Sequence, residues 1–390
     1  MPVSSPVMPI VGPRAFGHVH TFGILSSYPP TPCGLATFSA ALARGLRAHG
    51  ADVSVVRVTD GTPGTTDRVV GDLVNGSPHS VAESIELLNV CDVAVVQHEY
   101  GLYGGADGDE VLEVLAGLRV PSIVVAHTIL SNPTAHQEAV LTEVAALADK
   151  VVVMSGAARA RLCRRFEVDA RKVVTIPHGA AIPARRVTAK TLTRPMLLTS
   201  GLIGPGKGIE RVIDAMRSLH QLPSRPQYLV AGQTHPKVLA ADGESYRHAR
   251  MEQAERNGVA SSVVFDADYR DVASLTALIQ SSTAVVLPYD STEQVTSGVL
   301  VDAIAAGRPV VATAFPHAVE LLASGAGLVV DHHDPDGLAL ALRRVLLKPG
   351  LAAGMAAEAS RLAPSLGWPV VARQFLTLGN RLLAERPALV

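Results

Sequence analysis

The sequence is poor in features that would assign it to several specialised classes of protein. Its three cysteines, Cys33, Cys91 and Cys163, have neither metal-ligand nor paired spacing, so a reduced, cytoplasmic setting is expected. The formal net charge of -1 gives no overall attraction to nucleic acid or to an anionic membrane. The first residues lack a secretory pattern, and no apolar run reaches the roughly 18 residues of a membrane span.

Length and apolar content instead predict two domains. With 390 residues, 48% of them hydrophobic, the chain is too long for one ordinary core. Short, Val-rich runs alternate with helical segments, which predicts an α/β protein of two doubly wound, Rossmann-like domains with a cleft between them. The strands are expected at 18–26, 53–58, 93–97, 122–126, 150–154 and 173–176, and then at 196–199, 227–231, 263–265, 284–287, 309–312 and 327–330.

A polar, basic segment at 185–194 is the best candidate for the linker between the two domains. The first domain is therefore expected at 1–187 and the second at 188–367, with a final helix within 368–390.

The most informative part of the chain is 285–311. It has the pattern of a buried strand, a polar loop, a helix that begins at Ser297 and Gly298, and a second buried strand. A strand that leads through a loop into a helix suits phosphate, because backbone N–H groups and the helix dipole point at the ligand. Gln294 in the loop and Asp302 in the helix add an amide and a carboxylate on either side of the helix start. This combination indicates a nucleotide-sugar site.

A second segment, 196–210, also predicts a strand, a glycine-rich loop and a helix that begins near Lys207. Glycines allow the backbone to approach a diphosphate closely, and Lys207 supplies positive charge where a departing nucleotide accumulates negative charge. Gly34 is expected at another helix start, where a phosphate can approach. The alternatives are a solvated lysine and a plain turn. A full G-x-G-x-x-G fingerprint with a following acid is absent, which argues against a dinucleotide oxidoreductase.

Polar residues also end several predicted strands of the first domain, at the sheet edge where doubly wound proteins bind ligands. His98, Glu99 and Tyr100 either contact acceptor or sugar hydroxyls or hold the glycine-rich loop that follows them. His127 either orients a sugar through a neutral imidazole or is a buried histidine bonded to the backbone. A structural role is favoured for His178.

Two further polar stretches have less specific patterns. Residues 232–247 are expected to form a long polar loop at the edge of the cleft, with no assigned role. A predicted helix carries a basic run that is expected to be a solvated face, with weak contact to anionic lipid or an acidic partner as the alternative. The run consists of Arg159, Arg161, Arg164 and Arg165.

The segments 199–210 and 287–311 resemble the signature of the retaining glycosyltransferases of family 4, which have the GT-B fold. The resemblance is looser elsewhere and extends from about Ser26 to the C-terminal helix, which it implies crosses back to the first domain. It implies transfer of a hexose, with mannose or glucose favoured, from a GDP- or UDP-linked sugar to a hydroxyl acceptor. Configuration would be retained, without a cofactor or a metal ion.

Carried over residue by residue, the resemblance assigns roles around the donor. Asp302 is expected to bind ribose hydroxyls, and Gln294, with Glu293 beside it, the donor sugar. Lys207 and the amides of 297–298 are expected to stabilise the leaving diphosphate, which acts as the base toward the acceptor in a same-face mechanism. The family usually has glutamates at both 294 and 302, so this sequence departs from its pattern.

The resemblance also places His127 near the donor sugar and Gly34 near the diphosphate. A further departure is Leu202, because the family commonly has a phosphate-binding arginine five residues before the lysine. Either Lys207 works alone, or a cation such as Arg270 replaces that arginine.

Three other functions stay open from the sequence. One is a catalytically weak nucleotide-sugar sensor, which the changes at Leu202 and Gln294 allow. Another is a phosphorylase-like or epimerase-like reaction on the same scaffold, although no pyridoxal site is indicated. The last is an ordinary strand–helix–strand unit of some other α/β enzyme.

Overall fold

The computed structural model describes residues 18–63, 66, 68–184 and 194–386. All but one residue of the expected linker at 185–194 lie outside the described residues, and the domain boundaries stay predictions. Two all-parallel sheets are present, of seven and six strands. Within the described ranges, every helix is too short or too polar to traverse a bilayer.

The first sheet has the strand order β3-β2-β1-β4-β5-β6-β7. Its strands are β1 Thr21–Ser26, β2 Asp52–Val58, β3 Val69–Leu73, β4 Val93–His98, β5 Ser122–Ala126, β6 Lys150–Val153 and β7 Val173–Thr175. Its helices are α1 Gly34–Ala48, α2 Pro78–Asn89, α3 Val111–Gly117, α4 Ala135–Leu147 and α5 Gly156–Arg165, with a 3-10 turn at Ala106–Gly108. The edge strand β3 was not predicted, because its partial exposure and its internal Gly71 and Asp72 are typical of a loop.

The second sheet has the order β10-β9-β8-β11-β12-β13. Its strands are β8 Met196–Ser200, β9 Gln227–Ala231, β10 Val263–Asp266, β11 Ala284–Leu287, β12 Val310–Thr313 and β13 Gly327–Val330. The helices are α6 Ile209–Leu219, α7 Pro236–Asp242, α8 Ser245–Arg256, α9 Val272–Ser281, α10 Gly298–Ala305, α11 Pro316–Leu322, α12 Gly337–Leu347, α13 Pro349–Leu366 and α14 Trp368–Glu385, with a 3-10 turn at Ala260–Ser262. The prediction of a long loop at 232–247 is wrong, since α7 and the start of α8 occupy most of this segment.

Hydrophobic side chains cover both faces of each sheet, as continuous apolar parallel strands require. The last helix, α14, packs on the first domain through Val371, Phe375 and Leu378. It approaches α1 so closely that a β-carbon on Gly45 would lie 2.7 Å from the β-carbon of Ala372. The C-terminal helix therefore completes the core of the domain in which the chain begins.

The order of each sheet places a crevice at the carboxyl ends of two neighbouring strands, where the connections diverge to opposite sides. These strands are β1 and β4 in the first sheet and β8 and β11 in the second. The domains also bond directly. The Ser155 hydroxyl donates to the Val295 carbonyl at 2.6 Å, and Glu320 accepts from the backbone N–H groups of Gly156 and Ala157 at 2.8 Å. These bonds hold the loop after β11, through Val295, and helix α11, through Glu320, against the first domain.

Candidate active site

The loop between β8 and α6 is locked against the loop that follows β11. Gly208 has a φ of 64°, and a β-carbon there would lie 1.8 Å from the Pro288 carbonyl oxygen. The Asp290 N–H donates to the Gly206 carbonyl at 3.0 Å. A β-carbon on Gly201 would lie 3.6 Å from Val299, in the first turn of α10. The two segments that predicted phosphate binding therefore lie side by side.

Lys207 projects from this loop over the aromatic ring of Tyr289, with its Nζ 4.7 Å from the ring centroid. Tyr289 in turn stacks on Phe315 at 5.3 Å. Partial burial lowers the pKa of Lys207 below its ordinary value. Among the described residues, no acid or hydrogen-bond acceptor pairs with Nζ, so the charge is available to an anionic ligand.

Helix α10 begins where it was predicted, at Gly298, with Ser297 as its N-cap. The Ser297 hydroxyl accepts from the Leu300 N–H, and the Ser297 N–H donates to Nδ1 of His317 at 2.9 Å. Burial lowers the pKa of His317 to about 4, so its ring is neutral and can accept this bond. The His317 N–H also donates to the Gln294 carbonyl at 3.3 Å. His317 was missed from the sequence, although it follows a buried strand closely.

Gln294 and Asp302 both keep unused hydrogen-bonding capacity. The Gln294 side-chain amide donates to the Thr296 carbonyl at 2.9 Å. The Asp302 carboxylate, a turn into α10, has no bonding partner in the part of the chain that the structure describes. Burial raises its pKa to about 7. A ligand that brings hydroxyl donors would therefore satisfy a carboxylate that the protein leaves unbonded.

Glu293 is committed to a contact between the domains. Its carboxylate pairs with Arg161 of α5 at 3.2 Å, and Arg161 also donates to the carbonyls of Glu293 and Ile129. The expectation that the basic run is a solvated face is thus wrong for Arg161, whose side chain is 15% exposed. Arg165 pairs with Glu138. The predicted role of Glu293 at the donor sugar would have to coexist with this bridge.

Two histidines of the first domain contact the same aromatic ring, and one of them reaches the start of α10. Phe38 of α1 makes edge contacts with His127 at 5.0 Å and with His178 at 5.1 Å between ring centroids. A β-carbon on Gly298 would lie 3.0 Å from Nε2 of His178. His127 bonds Gln97 at 2.7 Å, and burial lowers its pKa to about 3. His178 therefore lies against the start of α10, and Phe38, on the helix that begins at Gly34, connects it to His127.

The strand-end residues after β4 separate into two environments. His98 is 1% exposed, with its ring 5.3 Å from that of Tyr100, so it lies beneath the surface of the cleft. Glu99 is partly exposed; it accepts from the Thr128 hydroxyl at 2.6 Å, and burial raises its pKa. Neither residue holds the following glycine loop through Gly104, whose N–H donates to Glu110 instead.

Arg270 does not supply the cation that Leu202 lacks. Its guanidinium pairs with Asp266 at the end of β10. Asp266 belongs to an Asp-Ala-Asp triplet, but no group of at least three His, Cys, Asp or Glu side chains is placed to hold a metal ion within the described ranges. Metal independence stays a prediction.

Comparison with known proteins identifies the family. Residues 32–182 match the protein family described as Glycosyltransferase Family 4, and residues 182–362 match the family described as Glycosyl transferases group 1. The chain belongs to glycosyltransferase family 4. The resemblance found at 199–210 and 287–311 is thereby confirmed.

Two curated relatives have the same name, D-inositol 3-phosphate glycosyltransferase. The protein from Kineococcus radiotolerans is 28% identical over 276 residues, which cover 63% of this chain and 60% of the relative. The protein from Nocardioides sp. is 28% identical over 263 residues, 62% of this chain and 56% of the relative. The matched region thus spans somewhat more than half the length of these relatives.

Solved structures confirm the fold. A glycosyltransferase from Rickettsia africae superposes with a TM-score of 0.73 at 14% identity, over 94% of this chain and 99% of that one. Sucrose-phosphate synthase from Thermosynechococcus elongatus gives 0.73 at 19% identity, over 94% and 100%. Anabaena HepE in complex with UDP-glucose gives 0.69 at 18% identity, over 92% and 98%. This member of the family therefore has the GT-B architecture of two Rossmann-like domains.

Proposed function

We propose that this glycosyltransferase moves a hexose from a nucleotide-sugar to a hydroxyl acceptor with retention of anomeric configuration. The observation that carries the proposal is Lys207 beside the N-terminus of α10, with the Asp302 carboxylate on that helix, since neither group has an ionic or hydrogen-bonding partner among the residues that the structure describes. Cation, helix amides and carboxylate match the phosphates and ribose hydroxyls of a nucleotide. The UDP-glucose complex of HepE supports a nucleotide-sugar donor. A UDP- or GDP-linked hexose is the donor that we propose.

The geometry supports a mechanism in which the protein stabilises charge on the leaving group. As the bond from the anomeric carbon to the diphosphate breaks, Lys207 and the amides at the start of α10 would receive the developing negative charge. The leaving phosphate oxygen would then accept the proton of the acceptor hydroxyl, which attacks on the same face. His127, neutral through burial, would hydrogen-bond a sugar hydroxyl without adding charge.

A panel of radiolabelled UDP- and GDP-hexoses tests the proposal. The expected result is release of the nucleoside diphosphate and a product that keeps the anomeric configuration of the donor. NMR of the product assigns that configuration. Binding of a nucleotide-sugar without hydrolysis or transfer, with each of a range of hydroxyl acceptors, would overturn it.

Asp302→Asn is expected to weaken nucleoside binding at pH 8 by about 1–3 kcal/mol, because an amide has one acceptor fewer for the ribose hydroxyls. Since burial holds the pKa of Asp302 near 7, wild-type affinity should rise from pH 6 to pH 8 as the carboxylate ionises. The affinity of the variant should stay level over this range. Calorimetry with an unphosphorylated nucleoside measures both effects, and equal affinities for the two proteins at pH 8 would contradict the role.

The same substitution should raise the unfolding temperature at pH 8. Because the folded-state pKa of Asp302 lies above that of an unfolded chain, its contribution to stability is complete below about pH 4 and is lost as the pH rises through 7. An amide does not titrate and avoids this loss. Asp242→Asn, at an exposed carboxylate on α7, is the matched control and should leave the unfolding temperature unchanged.

Gln294→Glu is expected to lower turnover by roughly tenfold, since it adds negative charge near the diphosphate and removes the donor to the Thr296 carbonyl. Donor choice would change with it. Kinetics over the donor panel measure both effects, with Gln221→Glu, at an exposed glutamine between α6 and β9, as control. A gain of activity from an inactive wild type would show that the chain is a degraded sensor.

A further inference from the structure

The arginine missing at Leu202 leaves the donor site with one unpaired cation on its own loop, Lys207. Other cations on loops and helices near the carboxyl ends of the second sheet are already engaged within the described ranges. Arg270 pairs with Asp266, Arg247 with Glu244, and Arg211 with Asp290. A replacement must therefore come from a side chain that the protein leaves free.

The loop after β9 lies directly beside Leu202. The Ile203 N–H donates to the Gln233 carbonyl, and the His235 N–H donates to the Ile203 carbonyl, both at 2.8 Å. A bridge between Ile203 and Thr234 extends the sheet pairing of β8 and β9 into the two loops. Side chains that follow Thr234 therefore start next to the position from which the arginine would extend.

Contacts with the loop after β8 and with α8 hold the loop after β9 in place. A β-carbon on Gly232 would lie 1.9 Å from the Gly201 carbonyl oxygen, so the loops after β8 and β9 are in backbone contact. The buried Arg247 donates to the Gly232 carbonyl at 2.6 Å. The Thr234 hydroxyl donates to Glu244 at 2.5 Å. The segment that follows Thr234 therefore begins at a backbone position that these contacts hold in place.

Lys237 is the cation that this loop presents, and its positive charge partly offsets the effect of burial on the pKa of Glu99 in the first domain. The Lys237 side chain is exposed and extends toward the first domain. A β-carbon built on Gly101 would lie 3.1 Å from Nζ of Lys237. Gly101 follows β4, one of the two strands that form the crevice of the first sheet. No acid within the described residues lies within ion-pair distance of Nζ. The amine therefore spans the cleft on a flexible stem.

His235 lies close enough to Lys207 and Lys237 for both charges to act on its ring. Its Nδ1 accepts from the Lys237 N–H at 3.2 Å, which places the ring proton on Nε2. Burial, with the charges of Lys237 and Lys207 nearby, lowers the pKa of His235, so the ring is neutral. The structure thus places an N–H donor where the charges of both ammonium groups act on it.

We propose that Lys237, with the Nε2–H of His235, binds the diphosphate of the donor and takes the place of the arginine absent at Leu202. This inference rests on the proposed function. The segment that was expected to be a featureless polar loop is then part of the anion site, and the second cation comes from β9 instead of β8.

Calorimetry with UDP and GDP, in the absence of any acceptor, tests the proposal. For whichever nucleotide binds the wild type better, Lys237→Ala should reduce affinity about tenfold, the loss of one charge-assisted hydrogen bond. Affinity for the matching nucleoside, without phosphates, should not change. The double variant Lys237→Ala/Leu202→Arg should recover most of the lost affinity. Lys348→Ala, at an exposed lysine between α12 and α13, is the control and should bind like the wild type.

The outcomes separate this inference from the proposed function. Loss of diphosphate affinity in Lys207→Ala but not in Lys237→Ala overturns the inference alone, and assigns Lys237 to the acceptor or to solvent. Equal losses for nucleoside and diphosphate, or no recovery with Leu202→Arg, also overturn it. A wild type that binds neither diphosphate overturns both proposals.

Discussion

Lys207→Ala should reduce the rate of sugar transfer by roughly 10²–10³, because it removes a preorganised charge from the point where the leaving diphosphate develops negative charge. The effect is expected in kcat, since the interaction strengthens as the bond breaks. The folded state should be unaffected, because Nζ has no bonding partner within the described residues beyond the ring of Tyr289.

Steady-state kinetics and thermal unfolding of the same preparation measure both quantities. Lys348→Ala controls for the loss of one lysine from the second domain. Near-normal turnover by Lys207→Ala would exclude a catalytic role for Lys207, whatever its effect on binding.

Gly208→Ala should destabilise the fold by about 3 kcal/mol or more, because the backbone must move to relieve the clash. The new β-carbon would lie 1.8 Å from the Pro288 carbonyl oxygen, so the loops after β8 and β11 would be forced apart. Transfer should fall as well, since Lys207 and Tyr289 lie on these two loops.

Gly206→Ala is the matched control. Gly206 also has a positive φ, of 84°, but a β-carbon there meets nothing within 4 Å. Gly206→Ala should therefore lower the free energy of unfolding only by the conformational strain at that position, about 1–2 kcal/mol. Urea unfolding of the two variants measures the difference, and equal losses would show that the contact with Pro288 is easily relieved.

Much of the fold could be predicted because its signals are local. Val-rich runs such as 93–97 and 122–126 are buried on both faces of a parallel sheet, and burial on both faces requires uninterrupted apolar sequence. The start of α10 was predicted for a similar reason, since Ser297 caps a helix whose first N–H groups lie a few residues away. The edge strand β3 was missed because one neighbour and partial exposure leave little apolar pattern.

The partners of charged and polar side chains could not be predicted in the same way. Arg161 bonds the carbonyl of Glu293, 132 residues further along the chain, and no local pattern records that pairing. His317 accepts from Ser297 only because β12 lies beside β11 in the sheet. Arg270 was a reasonable candidate for the missing cation until its pairing with Asp266 was seen.

The sequence by itself determined that two strand–loop–helix segments suit a phosphate, because glycines, a lysine and an N-cap within about fifteen residues specify that geometry. Only the tertiary structure decided which positively charged side chains remain available to bind that phosphate. Contacts between distant segments engage Arg161 and Arg211 in ion pairs, and a local pair with Asp266 engages Arg270, whereas Lys207 and Lys237 have no ion-pair partner among the described residues. Whether a charge is available depends on which groups lie within about 4 Å of it, and contacts between distant parts of the chain set those distances.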